Sequence, residues 1–355
     1  MVSVDSFAQK RWTVLIALCV IVLMLALISA SYGPYEKVRA GEVLQVLAHK
    51  VGLSQTAVDG TTTNVVMNLR LPRVALAILA GAALAMAGAA LQGLFRNPLA
   101  DPALIGVSSG AALGAVAVIV LGGTILHGIT SALGVFASPL AALGGGVAVT
   151  FLIYNLAKVE GRTHVALMLL TGLALNALTG AAIGLMVYLA TDEQLRAWTF
   201  WSLGSLSKAG WREIGAAAVL AIPAMVVLPS FARALNALTL GEAEAHHLGV
   251  PVQHVKRWLI FLSAAMVGST VAVCGTIGFL GLAAPHLIRL ALGPDNRLLL
   301  PASALLGAAL LLAADIAARA GTAGFEELPI GVITALVGAP VFLALLLRAR
   351  KKGEF

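Results

Sequence analysis

Long stretches without charged side chains alternate with short polar segments along the chain. A helix that spans a membrane needs ~20 mostly apolar residues, so each charge-free stretch can be measured against that length. One stretch, at 102–157, is long enough for two helices and is interrupted at Gly122 and Gly123. The pattern therefore predicts nine spans, which lie in the segments 12–35, 74–95, 102–157, 163–191, 214–232, 258–288, 298–314 and 328–347.

Basic residues at the two chain ends require one more span. Lys10 and Arg11 precede the first apolar stretch. The basic residues after the last stretch are Arg348, Arg350, Lys351 and Lys352. Lys and Arg are enriched on the cytoplasmic side, so both termini are predicted to be cytoplasmic and the number of spans to be even. The tenth span is predicted as a short helix after Pro285, in the segment 286–293.

The first stretch also has features of a signal peptide, because a basic start precedes its apolar run. The apolar region of a signal peptide is about 7–15 residues long, and this stretch is longer. An uncleaved first span is therefore favoured.

Two glycines and a proline recur at one constant spacing in the two halves of the chain. The matched pairs are Gly81 with Gly268, Gly88 with Gly275, and Pro98 with Pro285. With ten spans, the second and seventh cross in opposite directions, so spans 2–5 and 7–10 would form an inverted repeat. Such repeats, with helices interrupted at matching positions, are typical of transporters. Each copy is predicted to break at its proline, although proline turns occur in any protein with many spans.

Composition agrees with this membrane assignment and excludes other classes. Hydrophobic residues make up 60% of the chain and charged residues 11%, with a mean hydropathy of +0.97. Soluble domains carry about 25% charged residues, and disordered chains are polar. The two cysteines, Cys19 and Cys274, lie in apolar runs and support neither a disulfide framework nor a zinc site. The 37 glycines favour helices packed through small residues.

Motifs for catalysis and metal binding have little support. The chain lacks a Walker A pattern, so ATP, if it is used, must be bound by a partner. Gly-Val-Ser-Ser-Gly at 106–110 fits the nucleophile-elbow pattern but opens an apolar helix, which favours helix packing over an intramembrane enzyme built on Ser108. His246 and His247 are adjacent and point in different directions on a helix. No metal site and no bound cofactor are predicted.

Asp315 is the one acidic residue inside a predicted span. Ionisable residues within a membrane are costly and are therefore functional candidates. Arg319 lies one helical turn later, so a structural ion pair at i,i+4 is favoured. The alternative is a proton relay in an ion-coupled secondary transporter.

Two polar segments are candidate interaction sites. Residues 192–201 combine charged and clustered aromatic residues, which is typical of a short amphipathic helix at a membrane interface. Residues 241–251 have the pattern of a helix followed by a turn and are predicted to be cytoplasmic. The second segment is large enough to dock a partner, and an ordinary solvated connection is the alternative for both.

Seven segments, in order, resemble the FecCD-type permeases of type II ABC importers, which take up iron-siderophores, haem and cobalamin. The segments are Arg-Leu-Pro-Arg at 70–73, Gly-Leu-Phe-Arg-Asn-Pro-Leu-Ala-Asp-Pro at 93–102, Gly-Val-Ser-Ser-Gly-Ala at 106–111, Phe-Trp-Ser-Leu-Gly-Ser at 200–205, Gly-Glu-Ala-Glu at 241–244 with Leu-Gly-Val at 248–250, Gly-Phe-Leu-Gly-Leu-Ala-Ala-Pro-His at 278–286, and Glu-Leu-Pro-Ile-Gly at 327–331.

The resemblance implies an architecture and a set of partners. A single permease domain would occupy 1–355, with ten spans, and would pair with a second copy in the bacterial inner membrane. Two ATPase subunits would bind ATP and Mg²⁺ on the cytoplasmic side, and a periplasmic binding protein would deliver the substrate. No nucleic acid is implied.

The resemblance also implies roles for individual residues. Arg70, Arg73 and Arg319 would receive carboxylates of the binding protein, because a planar guanidinium meets a carboxylate through two hydrogen bonds. The implied cytoplasmic gate comprises Asn97, Leu99, Thr163, His164 and Val165. The implied periplasmic gate segment, 192–207, acts through Leu195, Trp198, Trp201 and Leu203. The implied coupling loop, 233–257, contacts the ATPase through Glu242, Glu244, His246, Leu248, Gly249 and Val250.

The substrate is less sharply defined than the mechanism. The segments 195–205 and 94–102 resemble haem permeases most closely, so haem is the favoured substrate. Ferric siderophores and cobalamin, carried by the same mechanism, are the alternatives.

Overall fold

A computed structural model of the protein describes residues 4–33, 38–54, 59–207, 209–320 and 327–351. Within these residues the regular secondary structure is helical apart from one two-stranded antiparallel hairpin. The strands are β1 (Lys158–Val159) and β2 (Arg162–Thr163). The helices are α1 (Val4–Ser31), α2 (Ala40–Lys50), α3 (Gly60–Asn64), α4 (Leu71–Phe95), α5 (Val107–Leu121), α6 (His127–Leu133), α7 (Ala137–Leu156), α8 (Val165–Tyr188), α9 (Asp192–Ser202), α10 (Trp211–Val227), α11 (Ala232–Thr239), α12 (Glu242–His247), α13 (Val252–Cys274), α14 (Leu280–Leu292), α15 (Asn296–Ala320) and α16 (Ile330–Lys351).

Apolar helical segments in the described residues match the predicted number of spans. Seven are long and apolar enough to cross a membrane, and three shorter ones bring the number to ten. The prediction of an all-α membrane protein with many spans is confirmed. The basic residues at the two chain ends lie outside the described side chains, so the cytoplasmic position of the termini stays a prediction.

Helix α4 occupies the centre of the bundle and is buried along most of its length. A Cβ atom at Gly81 would overlap the backbone of Gly307 on α15, and one at Gly88 would overlap the carbonyl of Gly281 on α14. These glycines are therefore points where helix backbones touch, as expected when membrane helices pack through small residues.

The short helix after the seventh span begins earlier than predicted. Helix α13 ends at Cys274, and α14 already begins at Leu280. The turn between them contains two residues with positive φ, Gly275 and Phe279. Pro285 lies inside α14, so the predicted break at this proline is wrong.

A hydrogen bond from a neighbouring helix explains how α14 accommodates Pro285. A proline has no N–H, so the carbonyl four residues earlier loses its helical donor. Here that carbonyl belongs to Gly281, and it accepts a hydrogen bond from Gln92 Nε2 of α4 at 3.2 Å. A buried side chain replaces the missing donor, which allows the helix to continue through the proline.

The two ends of the bundle carry different structures. The arginine end carries Arg70, Arg73 and Arg319 together with α9. The hairpin end carries β1, β2 and α12. Helix α4 runs from the arginine end to the hairpin end, and α13 runs in the opposite direction. This direction agrees with an inverted repeat, but Pro98 lies in the turn after α4 whereas Pro285 lies within a helix, so the two prolines are not equivalent.

The connection between the first two spans holds structure that the hydropathy pattern does not predict. It forms α2, α3 and a π-helical turn, Val65–Arg70, in which the Leu71 N–H bonds the carbonyl of Val66. Pro72 follows directly and interrupts the ordinary helical ladder. The turn brings Arg70 to the end of α1.

Candidate functional site

At the arginine end, four charged side chains form one buried network. Arg73 Nε lies 2.7 Å from Asp315 Oδ1, and its Nη1 lies 2.7 Å from Glu327 Oε2. Arg319 Nη2 lies 2.7 Å from Asp315 Oδ2. Asp315 is 0% exposed and thus bridges two guanidinium groups. The predicted pair of Asp315 with Arg319 is confirmed, while its bond to Arg73, a residue far away in the sequence, was not predictable from helical spacing.

Arg319, together with Arg70, also holds the last carbonyl groups of α1. Arg70 Nη1 donates to the carbonyl oxygens of Ala30 and Ser31 at 3.0 and 2.7 Å. Arg319 donates to the carbonyl oxygen of Ser29 at 3.0 Å and to its hydroxyl at 2.6 Å. The C-terminal carbonyls of a helix carry partial negative charge and have no helical donors, so guanidinium groups stabilise this end.

The three arginines predicted to dock a binding protein are therefore brought together, but in a buried position. The side chain of Arg73 is 14% exposed, and Arg70 and Arg319 are buried. All three have partners within the chain. An incoming carboxylate would have to compete with Asp315, Glu327 or the α1 carbonyls for these guanidinium groups.

Helix α9 forms one wall of a cavity of about 740 Å³ near the arginine end. The helix is held at its start by Thr191 and Gln194, whose side chains cap each other's backbone N–H, and Gln194 Nε2 also donates to the Val120 carbonyl at 3.1 Å. Of the predicted gate residues, Trp201 lines the cavity and stacks on Trp198 at 5.7 Å between ring centroids.

The remaining two predicted residues of this gate segment lie away from the cavity lining. Leu195 is exposed on α9. Leu203 follows the helix, and its carbonyl accepts a hydrogen bond from the Gly331 N–H at 3.0 Å. This bond ties the end of α9 to the start of α16.

At the hairpin end, the predicted gate residues occupy two separate segments, the turn after α4 and the connection from β2 to α8. Asn97 Oδ1 accepts the Leu99 N–H at 2.9 Å in the turn after α4. Thr163 ends β2, and His164 precedes α8, which begins at Val165. The hairpin turn places Glu160 and Gly161 at positive φ, the conformation that a two-residue hairpin turn favours.

Asp101 stabilises the chain just after the first of these turns. Its Oδ1 accepts the Ala103 N–H at 2.8 Å and caps a short 3₁₀ turn, Pro102–Ile105. Burial raises the pKa of the Asp101 carboxyl, and the hydrogen bond from Ala103 opposes that change.

The predicted coupling residues lie on α12 and in the turn that follows it, and most of them are exposed. Helix α12 turns Ala245 inward, while Glu244, His246 and Leu248 are exposed. Gly249, at φ +81°, ends the helix. The Val250 N–H returns to the carbonyl of Ala245 at 3.0 Å.

Glu242, the first residue of α12, keeps 39% of its side chain exposed and pairs with a buried lysine that the sequence reasoning missed. Lys256 Nζ lies 2.6 Å from Glu242 Oε1 and 2.8 Å from the Thr163 carbonyl oxygen. Gln253 Oε1 accepts the Thr163 N–H at 2.9 Å. The sequence pattern that could have indicated this lysine is its position one turn after a glutamine, at the start of an apolar helix. Among the described residues, no cluster of three or more His, Cys, Asp or Glu side chains could hold a metal ion.

Known proteins resemble this chain over most of its length. The model of the FecCD transport family matches residues 18–348. The hemin transport system permease protein HmuU of Yersinia pestis is 45% identical over 300 residues, covering 84% of this chain and 88% of the relative. The cobalamin import system permease protein BtuC of Halobacterium salinarum is 42% identical, covering 82% of this chain and 76% of the relative.

A solved structure has the same fold. It is described as a metal-chelate type ABC transporter in an inward-facing conformation, and it is 32% identical to this chain. The TM-score is 0.80, with 95% of this chain and 99% of the other covered. Because the family model matches nearly the whole sequence and the relatives align over more than four fifths of it, the chain belongs to the FecCD transport family.

Proposed function

We propose that this chain is the permease subunit that carries haem from a periplasmic binding protein into the cytoplasm by alternating access. The observation that carries the proposal is the 45% identity to a hemin permease over 84% of this chain. As a member of an ABC permease family it is not an enzyme, and a separate ATPase subunit supplies ATP hydrolysis. ATP and Mg²⁺ bind on that partner.

Cobalamin is the second candidate substrate, because a cobalamin permease is 42% identical over a similar length. Ferric siderophores are the third, supported by the metal-chelate transporter of the same fold. All three ligands are large, and the same mechanism serves each of them. The proposed mechanism therefore does not depend on which of the three substrates is transported.

Two copies of the chain would enclose the pathway. Members of this family work as dimers with ATPase and binding-protein partners. Helix α8 leaves large apolar side chains exposed on the single chain, among them Leu170, Leu173 and Leu178. We assign this face to the second copy and to the pathway, with the hairpin end toward the cytoplasm.

The binding protein would engage the arginine end, and the ATPase would engage the exposed face of α12. Arg73 is the guanidinium best placed for docking, because Glu327, one of its two partners, is 27% exposed. A carboxylate of the binding protein would replace Glu327 there. Binding at one end and ATP at the other would then change access along α8.

An ion-coupled transporter is less well supported. Its candidate, Asp315, is completely buried and bonded to Arg73, Arg319 and Ser29, which suits a structural bridge. An enzyme built on Ser108 is also less well supported than helix packing. The adjacent Ser109 hydroxyl donates to Asn176 Oδ1 at 2.6 Å and ties α5 to α8, which favours a packing role for this segment.

The test is transport by the reconstituted complex. The permease, its ATPase and its binding protein are placed in liposomes, and ATP hydrolysis is measured with hemin, a ferric siderophore or cobalamin on the binding protein. We expect hemin to stimulate hydrolysis and to accumulate inside. Stimulation by cobalamin or siderophore alone would overturn the choice of haem, and uptake driven by an ion gradient without ATP would overturn the ABC mechanism.

A further inference from the structure

Lys256 is a charged side chain that the fold buries almost completely. It lies in the second turn of α13, and its side chain is 2% exposed. Burying an ammonium group is costly unless strong partners replace the lost water. Its partners are the Glu242 carboxylate of α12 and the Thr163 carbonyl at the end of β2.

Gln253 completes the grip on Thr163 from the same face of α13. Residues three apart on a helix lie side by side. Gln253 therefore accepts the Thr163 N–H while Lys256 donates to the Thr163 carbonyl oxygen. Both backbone polar groups of one residue, itself buried, are held by two side chains of one helix.

The position of Thr163 in the chain connects these two hydrogen bonds to helix α8. Thr163 ends β2, and after a single residue, His164, helix α8 begins at Val165. Lys256 thus joins the start of α8 to Glu242, the first residue of the exposed helix α12. The distances of 2.6 and 2.8 Å are those of charge-assisted hydrogen bonds, which are about twice as strong as bonds between neutral groups.

We propose that Lys256 is a positioning residue that transmits displacement of α12 to the hairpin and to the start of α8. The proposal rests on the proposed function, in which the ATPase moves α12 and α8 lines the pathway. When α12 shifts, the Glu242 carboxylate draws the ammonium group with it, and the Thr163 backbone follows. Without the ammonium group, α12 can move while the hairpin stays behind.

Arg297 offers a matched control for Lys256. It is also basic, and it is exposed in the first turn of α15, whose start is joined to α11 by the bond from the Asn296 N–H to Asn236 Oδ1. Lys256→Met removes the charge and keeps a long apolar chain, and Arg297→Met makes the equivalent change outside the linkage. Lys256→Arg keeps a donor for both partners. Glu242→Gln weakens the contact of Lys256 with α12, and copurification of the ATPase with this variant checks the predicted ATPase contact of Glu242 separately.

The experiment measures how nucleotide changes the accessibility of position 165. In the full complex, Cys19 and Cys274 are replaced by serine, Val165→Cys is introduced, and its reaction with a membrane-impermeant maleimide is timed with and without ATP and vanadate. Nucleotide should change the rate when Lys256 is present and with Arg297→Met. With Lys256→Met the change should shrink at least about fivefold, the lower end of typical coupling between sites, and Lys256→Arg should restore part of it.

Two further measurements separate coupling from assembly and from the proposed function. Copurification of the ATPase should be unchanged with Lys256→Met, and hemin transported per ATP hydrolysed should fall about fivefold. If Lys256→Met does not assemble, Glu242→Gln carries the test and should reduce the nucleotide response. A full nucleotide response with Lys256→Met, or with Glu242→Gln in its place, would overturn the inference. No nucleotide response even with Lys256 and Glu242 intact would overturn the proposed function itself.

Discussion

The arginine end and the hairpin end both bury cations between carboxylates and backbone carbonyls, but they do so with different connectivity. At the arginine end, Arg73 and Arg319 balance Asp315 and Glu327, and several elements distant in sequence meet. At the hairpin end, one lysine joins one exposed helix to one hairpin. A network of ion pairs that joins several helices resists unfolding, whereas one ion pair between two elements can transmit the displacement of one element to the other. The first end should therefore govern stability, and the second should govern coupling.

The sharpest way to break the arginine end is Asp315→Asn. The change leaves two buried guanidinium groups without their shared carboxylate, and breaking a buried pair costs about 3–5 kcal/mol. We expect the midpoint of thermal unfolding in detergent to fall strongly. Asp192→Asn, at an exposed position on α9, should leave it unchanged. Equal midpoints for the two variants would contradict a stabilising role of the Asp315 network at this end.

Gln253→Leu tests whether the hairpin end also contributes to stability. It leaves the buried Thr163 N–H without its acceptor, at a cost of about 1–3 kcal/mol. The expected fall in the unfolding midpoint is smaller than for Asp315→Asn. Gln45→Leu, at an exposed position of α2, is the control. A larger fall than that of Asp315→Asn would reverse the assignment of stability to the arginine end.

Leu248→Asp tests the exposed face of α12 without touching Lys256. Leu248 is 65% exposed, so the fold should not be affected. If this face seats in the ATPase, a charge there should weaken the affinity about tenfold, or ~1.4 kcal/mol. Binding of the purified ATPase to the permease in detergent measures it. Leu53→Asp, an exposed leucine near the other end, is the control, and an equal loss of affinity in both variants would contradict the predicted surface.

Glu327→Gln tests whether Glu327 competes with the binding protein for Arg73, and its expected effects on stability and affinity are the smallest of the four variants. Glu327 is partly exposed, and Arg73 keeps its bond to Asp315, so stability should fall by only about 0.5 kcal/mol. Because Glu327 no longer competes for Arg73, the affinity for the binding protein should rise about twofold. Titration calorimetry measures it. A lower affinity would mean that Glu327 belongs to the docking surface instead of competing with it.

Local features of the chain could be predicted from the sequence, whereas contacts between segments far apart in the sequence could not. The spans followed from hydropathy, which depends only on neighbouring residues. The pair of Asp315 and Arg319 followed from helical spacing. The bond of Arg73 to the same carboxylate joins α4 to α15, and no spacing rule reaches across that distance.

The error at Pro285 has the same origin. A proline in an apolar stretch predicts a break because its missing N–H leaves a carbonyl without a donor. In the folded chain Gln92 of α4 supplies that donor to Gly281, so the helix continues and the break moves to Gly275. The sequence of α14 alone contains no sign of this partner.

The sequence by itself determined the membrane class and the number of apolar helices, because hydropathy depends only on neighbouring residues. The order of its motifs along the chain determined the family and indicated which residues cluster at each end. Only the tertiary structure decided how those residues are used. It paired Arg73 and Arg319 with Asp315, turned Arg70 to the last carbonyls of α1, and placed Lys256 between α12 and Thr163. The physical reason is that a buried charge must find its partners in space, and the chain brings those partners from positions far apart in sequence.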